Sequence, residues 1–292
     1  MKPITTKWVY LIALSLVWGS SFILMKYALV GLNPIQVGAL RIIITAFFLM
    51  LIGFKSVLRL TRKDWFYIGL SAILGTYFPV FLFAIAIDNM DSAIAAILNS
   101  FTPFNALLIG ALFFGFSFQK RQILGILIGL IGTILLILNG NSIGSLNDYY
   151  YPSFILLASV GYAFNVNIVK KYLQDVKPLA ITTATFMVVF IPALIRLINT
   201  DFFNAFEATP EIKKSLLFIT ILSVVGTAIA KTFFNKLVQI SSPIFSTSVT
   251  YLIPIVAVFW GVFDGEKLSL FQLFSGLVIL LGVYLVNRVK KN

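Results

Sequence analysis

The sequence predicts an all-α integral membrane protein with ten transmembrane helices in a 5+5 inverted-topology repeat, and three observations predict it. Of 292 residues, 60% are hydrophobic and 11% charged, whereas an ordinary soluble domain carries roughly 25% charged residues. Apolar runs recur along the whole chain at the length of about 20 residues that crosses ~30 Å of hydrocarbon as a helix. The second half also repeats landmarks of the first.

Runs bounded by charge, Pro, Gly or Asn place the spans at 9–28, 34–54, 65–87, 92–114, 122–138, 152–170, 178–198, 215–237, 243–262 and 271–286. The first run is longer than a signal-peptide core and has no small-residue cleavage site behind it, so it stays as helix one. With a cytoplasmic N-terminus, about fifteen Lys and Arg fall inside, Lys55, Arg62, Lys120, Lys171 and Lys236 among them, against Lys213, Lys214 and Lys267 outside. The acids Asp88, Asp91, Asp148, Asp201, Glu207, Glu211, Asp264 and Glu266 also fall outside. Both termini are expected in the cytoplasm, in a bacterial-type inner membrane.

The repeat divides the chain into 1–140 and 150–292. At a shift of about 144 residues Trp18 meets Tyr162, Lys26 meets Lys170 and Pro34 meets Pro178. At about 151, Gly75-Thr76 meets Gly226-Thr227, Pro103 meets Pro254 and Gly125 meets Gly276. Five spans per half is an odd number, so equivalent helices run oppositely through the bilayer, an arrangement many secondary transporters use.

What is missing narrows the chemistry. The chain has no Cys and no His, which removes disulfides, thiolate and imidazole catalysis, and the usual zinc ligand sets. No phosphate-binding loop or acidic cation cluster is present. No cofactor, metal or catalytic residue is expected. A net charge of +12 sits in short clusters between apolar runs, so lipid bilayer and not nucleic acid is the expected partner. The oligomeric state is left open, with a monomer compatible.

These residues resemble the EamA family of the drug/metabolite transporter superfamily over nearly the whole chain. The likeness rests on Trp18-Gly19-Ser20-Ser21-Phe22 with Lys26, Pro34 with Arg41, Gly75-Thr76 and Pro103. In the second half it rests on Gly226-Thr227, Tyr251-Leu252-Ile253-Pro254 with Gly261, and Gly265-Glu266. The resemblance implies ten helices in a 5+5 inverted repeat and export or facilitated movement of amino acids or related metabolites. Two departures stand out. Phe114-Gly115-Phe116-Ser117 replaces the family's Gly-Glu after span four, and span six matches its counterpart poorly.

A solute pathway needs polar groups at bilayer depth. Span one offers Trp18, Ser21 and Met25 at three- and four-residue spacing, and span six offers Tyr162 and Asn165. Trp18 and Tyr162 either face a solute or pack with their polar tips bonded to a neighbour. Thr76 and Tyr77 follow Gly75 in span three. Asn99, Ser100 and Thr102 precede Pro103, and Thr247, Ser248, Thr250 and Tyr251 precede Pro254, where a proline frees a backbone carbonyl. Such clusters line a cavity or glue helices together. Span eight carries Thr227, Lys231 and Asn235 at four-residue intervals. Lys231 either meets an anionic solute group or snorkels to the interface. Lys26 and Arg196 lie near helix ends, where snorkelling is expected, while Arg41 lies roughly 10 Å deep.

The candidate solute-binding set is therefore Trp18, Ser21, Thr76, Tyr77, Asn99, Thr102, Tyr162, Asn165, Thr227, Lys231, Asn235 and Tyr251. The function expected is a secondary transporter or facilitator, an exporter of amino acids or similar small metabolites by alternating access. Efflux of aromatic or drug-like compounds is the alternative, and a membrane-embedded enzyme is the alternative of another class. No Asp or Glu lies well inside a span, which disfavours carboxylate-based proton antiport.

Overall fold

The computed structural model describes residues 3–90, 92–138, 150–200, 202–203, 209–263 and 269–287. Asp91, Asp148, Asp201, Glu207, Asp264, Gly265, Glu266, Lys267 and the basic C-terminus from Arg288 lie outside the described residues. Those that are described form helices joined by short turns, with no strand among them. The helices are α1 (Pro3–Ala28), α2 (Pro34–Val57), α3 (Arg62–Asn89), α4 (Ser92–Asn99), α5 (Thr102–Phe114) and α6 (Lys120–Leu138). Then come α7 (Tyr150–Tyr172), α8 (Pro178–Ile198), α9 (Pro210–Ile240), α10 (Pro243–Thr247), α11 (Val249–Phe263) and α12 (Leu270–Asn287).

Among the described residues, six helices are long and apolar enough to cross a membrane: Thr6–Ala28 of α1, α2, α3, α7, α8 and α9. Shorter apolar helices are Thr102–Phe114, Pro243–Val256 and Leu273–Val286. Side chains such as Leu51, Phe66, Phe113 and Leu277 stand exposed on the outside of the bundle, as lipid-facing residues do. The chain is a multi-pass membrane protein.

Local chemistry sets the helix starts. Asn33 Oδ1 accepts a bond from the Gln36 amide while Gln36 Oε1 accepts one from the Asn33 amide, and Thr61 and Asp64 repeat this capping box. Prolines occupy the first turn of α2, α8, α9 and α10, where a missing N–H costs nothing. The α5 helix ends on Gly115 at φ 69°, a left-handed position that glycine takes without strain. The Lys171 ammonium donates to the Phe114 carbonyl at 2.8 Å and satisfies that end.

Four spans are not the uniform helices their hydropathy predicts. The α3 and α9 helices each contain a π-type turn, at Ile73–Tyr77 and Val224–Ile229, so the Gly-Thr pairs flagged by the repeat sit inside these turns. Span four breaks at Ser100–Phe101, just ahead of Pro103, and span nine at Ser248, well before Pro254. The two breaks meet, because Ser100 Oγ donates to the Thr250 carbonyl at 3.2 Å.

The packing exchanges in pairs. α1 packs on α9 and α11, as α7 packs on α3 and α5; α2 meets α9 as α8 meets α3; α2 lies against α8, and α6 against α12. Glycines bring the last pair together, with Gly125 and Gly129 facing Gly282. A Cβ on Gly282 would lie 2.5 Å from the Gly129 nitrogen, a backbone atom that cannot rotate away. Gly282→Val is expected to lower stability by about 2 kcal/mol through overpacking, read as a fall in the melting temperature of the detergent-purified protein.

Candidate functional site

A cavity of about 140 Å³ lies among the middles of the helices, lined from both halves of the chain. Its polar belt is made by the two π-type turns and the cations that meet them. Lys231 on α9 donates to the Gly75 carbonyl at 3.0 Å and to Thr76 Oγ1, both in the α3 turn. Arg41 on α2 donates from Nε to Thr227 Oγ1 at 2.8 Å, in the α9 turn. Each half thus docks a cation on the Gly-Thr turn of the other. A π-type turn widens the backbone hydrogen-bond ladder and often marks a functional position. Thr227 illustrates this, its own hydroxyl donating five residues back to the Leu222 carbonyl at 3.0 Å.

Two further bonds repeat the exchange. Trp18 Nε1 donates to the Gly226 carbonyl at 2.9 Å, and Asn165 Nδ2 donates to Ser71 Oγ, one turn before Gly75. Close approach makes these bonds reachable, since Gly75 faces Asn165 and Gly226 faces Ser21 and Leu222 with no side chain of its own between. Thr102 donates to the Asn99 carbonyl at 2.6 Å, and with Thr247 and Thr250 these residues form a neutral wall.

The rest is aromatic and apolar. Trp18 lies 5.1 Å from Phe234 between ring centroids, and Tyr162 lies 5.9 Å from Phe83. Phe22, Met25, Val80 and Ile87 extend the lining towards the ends of α1 and α3. No Asp or Glu lines the cavity among the described residues.

Of the expected set, Trp18, Ser21, Thr76, Asn99, Thr102, Tyr162, Asn165, Thr227 and Lys231 line this cavity. Three do not. Tyr251 is fully buried against α6, its hydroxyl donating to the Ile126 carbonyl at 3.0 Å. Asn235 turns to α8 and donates to Thr182 Oγ1 at 3.0 Å. Tyr77 packs edge-on to Phe81 at 5.1 Å and borders a separate groove with Ile35 and Arg196. Lys231 does not snorkel, because its ammonium bonds to α3 inside the bundle; Lys26 and Arg196 are exposed near helix ends, as expected.

Arg41 belongs to the lining and was absent from the expected set, although its depth in span two was the available signal. Phe83, Phe186 and Phe234 also line it. Nothing in the sequence marks them, since an apolar ring facing lipid and one facing a cavity read alike.

The chain resembles known transporters over its whole length. An inner membrane transporter of Escherichia coli K12, YedA, described as uncharacterized, is 26% identical over 96% of this chain and 90% of its own. A probable amino-acid metabolite efflux pump of Salmonella typhimurium is 26% identical over 92% of this chain and 90% of its own. An S-adenosylmethionine/S-adenosylhomocysteine transporter of Chlamydia trachomatis is 24% identical over 98% and 90%. A solved crystal structure, 18% identical, superposes with a TM-score of 0.73 over 97% of this chain and 96% of that one, which shows a shared fold. The model of the EamA-like transporter family matches residues 6–138 and again 151–288. The chain belongs to the EamA-like transporter family.

Proposed function

We propose that this protein is a secondary transporter or facilitator that exports amino acids or similar small metabolites across the bacterial inner membrane by alternating access. The carrying observation is the cavity at mid-helix, polar at its belt and built from both halves, with each half hydrogen-bonded to the Gly-Thr turn of the other. At about 140 Å³ it has room for roughly ten waters, at 10–15 Å³ each on this measure, or one compact solute.

The ten-span 5+5 inverted repeat, with halves at 1–140 and 150–292 and both termini cytoplasmic, is part of the proposal. It is supported by the exchanging pairs of helix contacts, by paired π-type turns and by two consecutive family matches. The charge asymmetry of the loops supports the orientation. Such a repeat offers a site that one half closes as the other opens. The binding set proposed is the nine lining residues of the sequence reading together with Arg41. Its aromatic rings favour a second reading, efflux of aromatic or drug-like compounds, which Arg41 and Lys231 restrict to solutes that are not cationic.

Counterflow in proteoliposomes preloaded with an amino acid and metabolite panel tests this. Saturable exchange above protein-free vesicles is expected for at least one compact solute; none across the panel would refute the proposal. Because the chain has no Cys, single cysteines added at each end report topology, and labelling of both from the same face is expected.

A further inference from the structure

We propose that the solute is a net-anionic carboxylate with an apolar side group, such as a 2-oxo acid or an N-acyl amino acid, held by Arg41 and Lys231, and not a zwitterionic amino acid. The inference rests on the transport reading above and, within its solute class, keeps the acidic metabolites related to amino acids and excludes the amino acids themselves.

The two cations bracket one turn of α9, since Arg41 bonds Thr227 and Lys231 lies four residues further along the same helix. Arg41 spends only Nε on Thr227. Among the described residues the terminal nitrogens of its guanidinium have no protein acceptor, and their planar fork matches a carboxylate in two parallel bonds. Lys231 spends two donors on neutral oxygens, the Gly75 carbonyl and the Thr76 hydroxyl, and an ammonium has three.

Ionisable groups at this depth in membrane proteins ordinarily pair with an opposite charge, and an unpaired buried charge is costly. Neither cation has an acidic neighbour in the lining among the described residues. The counter-charge therefore arrives with the solute. A zwitterion brings it together with an α-ammonium that must sit within a few ångströms of the same two cations, and only neutral amides and hydroxyls such as Asn99 and Thr102 are there to receive it. Removing or acylating that amine takes away the repulsion. A phosphate monoester would match the same fork, and the series below separates it from a carboxylate. The other walls, Phe22, Phe83, Tyr162 and Phe186, suit a side group of leucine or phenylalanine type.

The test is a series matched in shape and varied in charge, offered to the purified full-length protein in proteoliposomes: phenylpyruvate, N-acetyl-phenylalanine, phenylalanine, phenylalanine amide and phenyl phosphate, with leucine counterparts. Binding is read by competition with whichever solute the panel shows to be carried. The two carboxylate anions are expected to compete roughly tenfold or more better than the zwitterion, and the cationic amide not to compete. Arg41→Gln, which removes one of the two cations, is expected to erase most of the preference, whereas Arg41→Lys, which keeps charge but loses the fork, is expected to weaken anion and zwitterion alike, both with melting temperatures near that of the wild type. Equal or better competition by phenylalanine or phenyl phosphate overturns the inference and leaves the transport reading intact. A carrier of other solutes that ignores the whole series also overturns it, and absence of any carried solute removes the transport reading itself.

Discussion

Lys231→Met is expected to abolish most transport without unfolding the protein. The substitution keeps an unbranched apolar stem in the space between α9 and α3 and removes the ammonium that bonds Gly75 and Thr76. Lys231 is half-buried and has no acid beside it in the lining among the described residues, so removing its charge at constant volume is expected to change stability little. Losing one member of a desolvated charge pair with the solute costs about 2–4 kcal/mol, or roughly 30- to 700-fold in affinity. Flux against solute concentration in proteoliposomes gives that shift, and the melting temperature gives the control. Unchanged half-saturation would assign Lys231 to structure alone and remove the ammonium from the solute site.

The second large effect is structural and acts on the same turn. Gly161 of α7 lies directly against the Leu74 carbonyl of α3, so a Cβ there would meet a backbone oxygen that has no rotamer to escape into. Gly161→Leu is expected to destabilise the protein by about 3 kcal/mol. Because the displaced segment is the π-type turn that carries Gly75, transport is expected to fall even in the fraction that remains folded. Thermal melts and flux on the same preparation separate the two losses. A wild-type melting temperature would mean that α3 and α7 are not in the contact described.

Much of the architecture was legible because membrane helices announce themselves by length and hydropathy. The Trp18–Tyr162 correspondence pointed to polar groups at bilayer depth, while the paired Gly-Thr read only as landmarks of the repeat and of the family likeness. The π-type turns were not legible, since one widened hydrogen bond in α3 or α9 leaves no trace in a hydropathy profile.

The misplaced candidates have geometric reasons. Four residues advance a helix by 400°, so each step along Thr227, Lys231 and Asn235 drifts by about 40°. By Asn235 the stripe has left the cavity and faces α8, where Thr182 receives it. Tyr251 follows Thr250 by one residue, about 100° of rotation, and this turns its ring from the cavity to the Ile126 carbonyl. Tyr77 stands in the same relation to Thr76. Polarity alone said that these side chains needed partners; it did not say whether a solute or a neighbouring helix supplies them. Arg41 shows the converse, a cation outside the expected set although it lies roughly 10 Å deep, which the packing of α2 against α9 turns inward.

The central claim is that the mid-helix cavity holds the transported solute. Ser21→Cys places one thiol on its lining in a chain that has no other, and a thiol reagent reports access to it directly. The carried solute is expected to slow labelling of Ser21→Cys, with half-protection at the concentration that half-saturates transport. A solute that is transported at its normal rate while the thiol reacts as fast as without it would contradict the account.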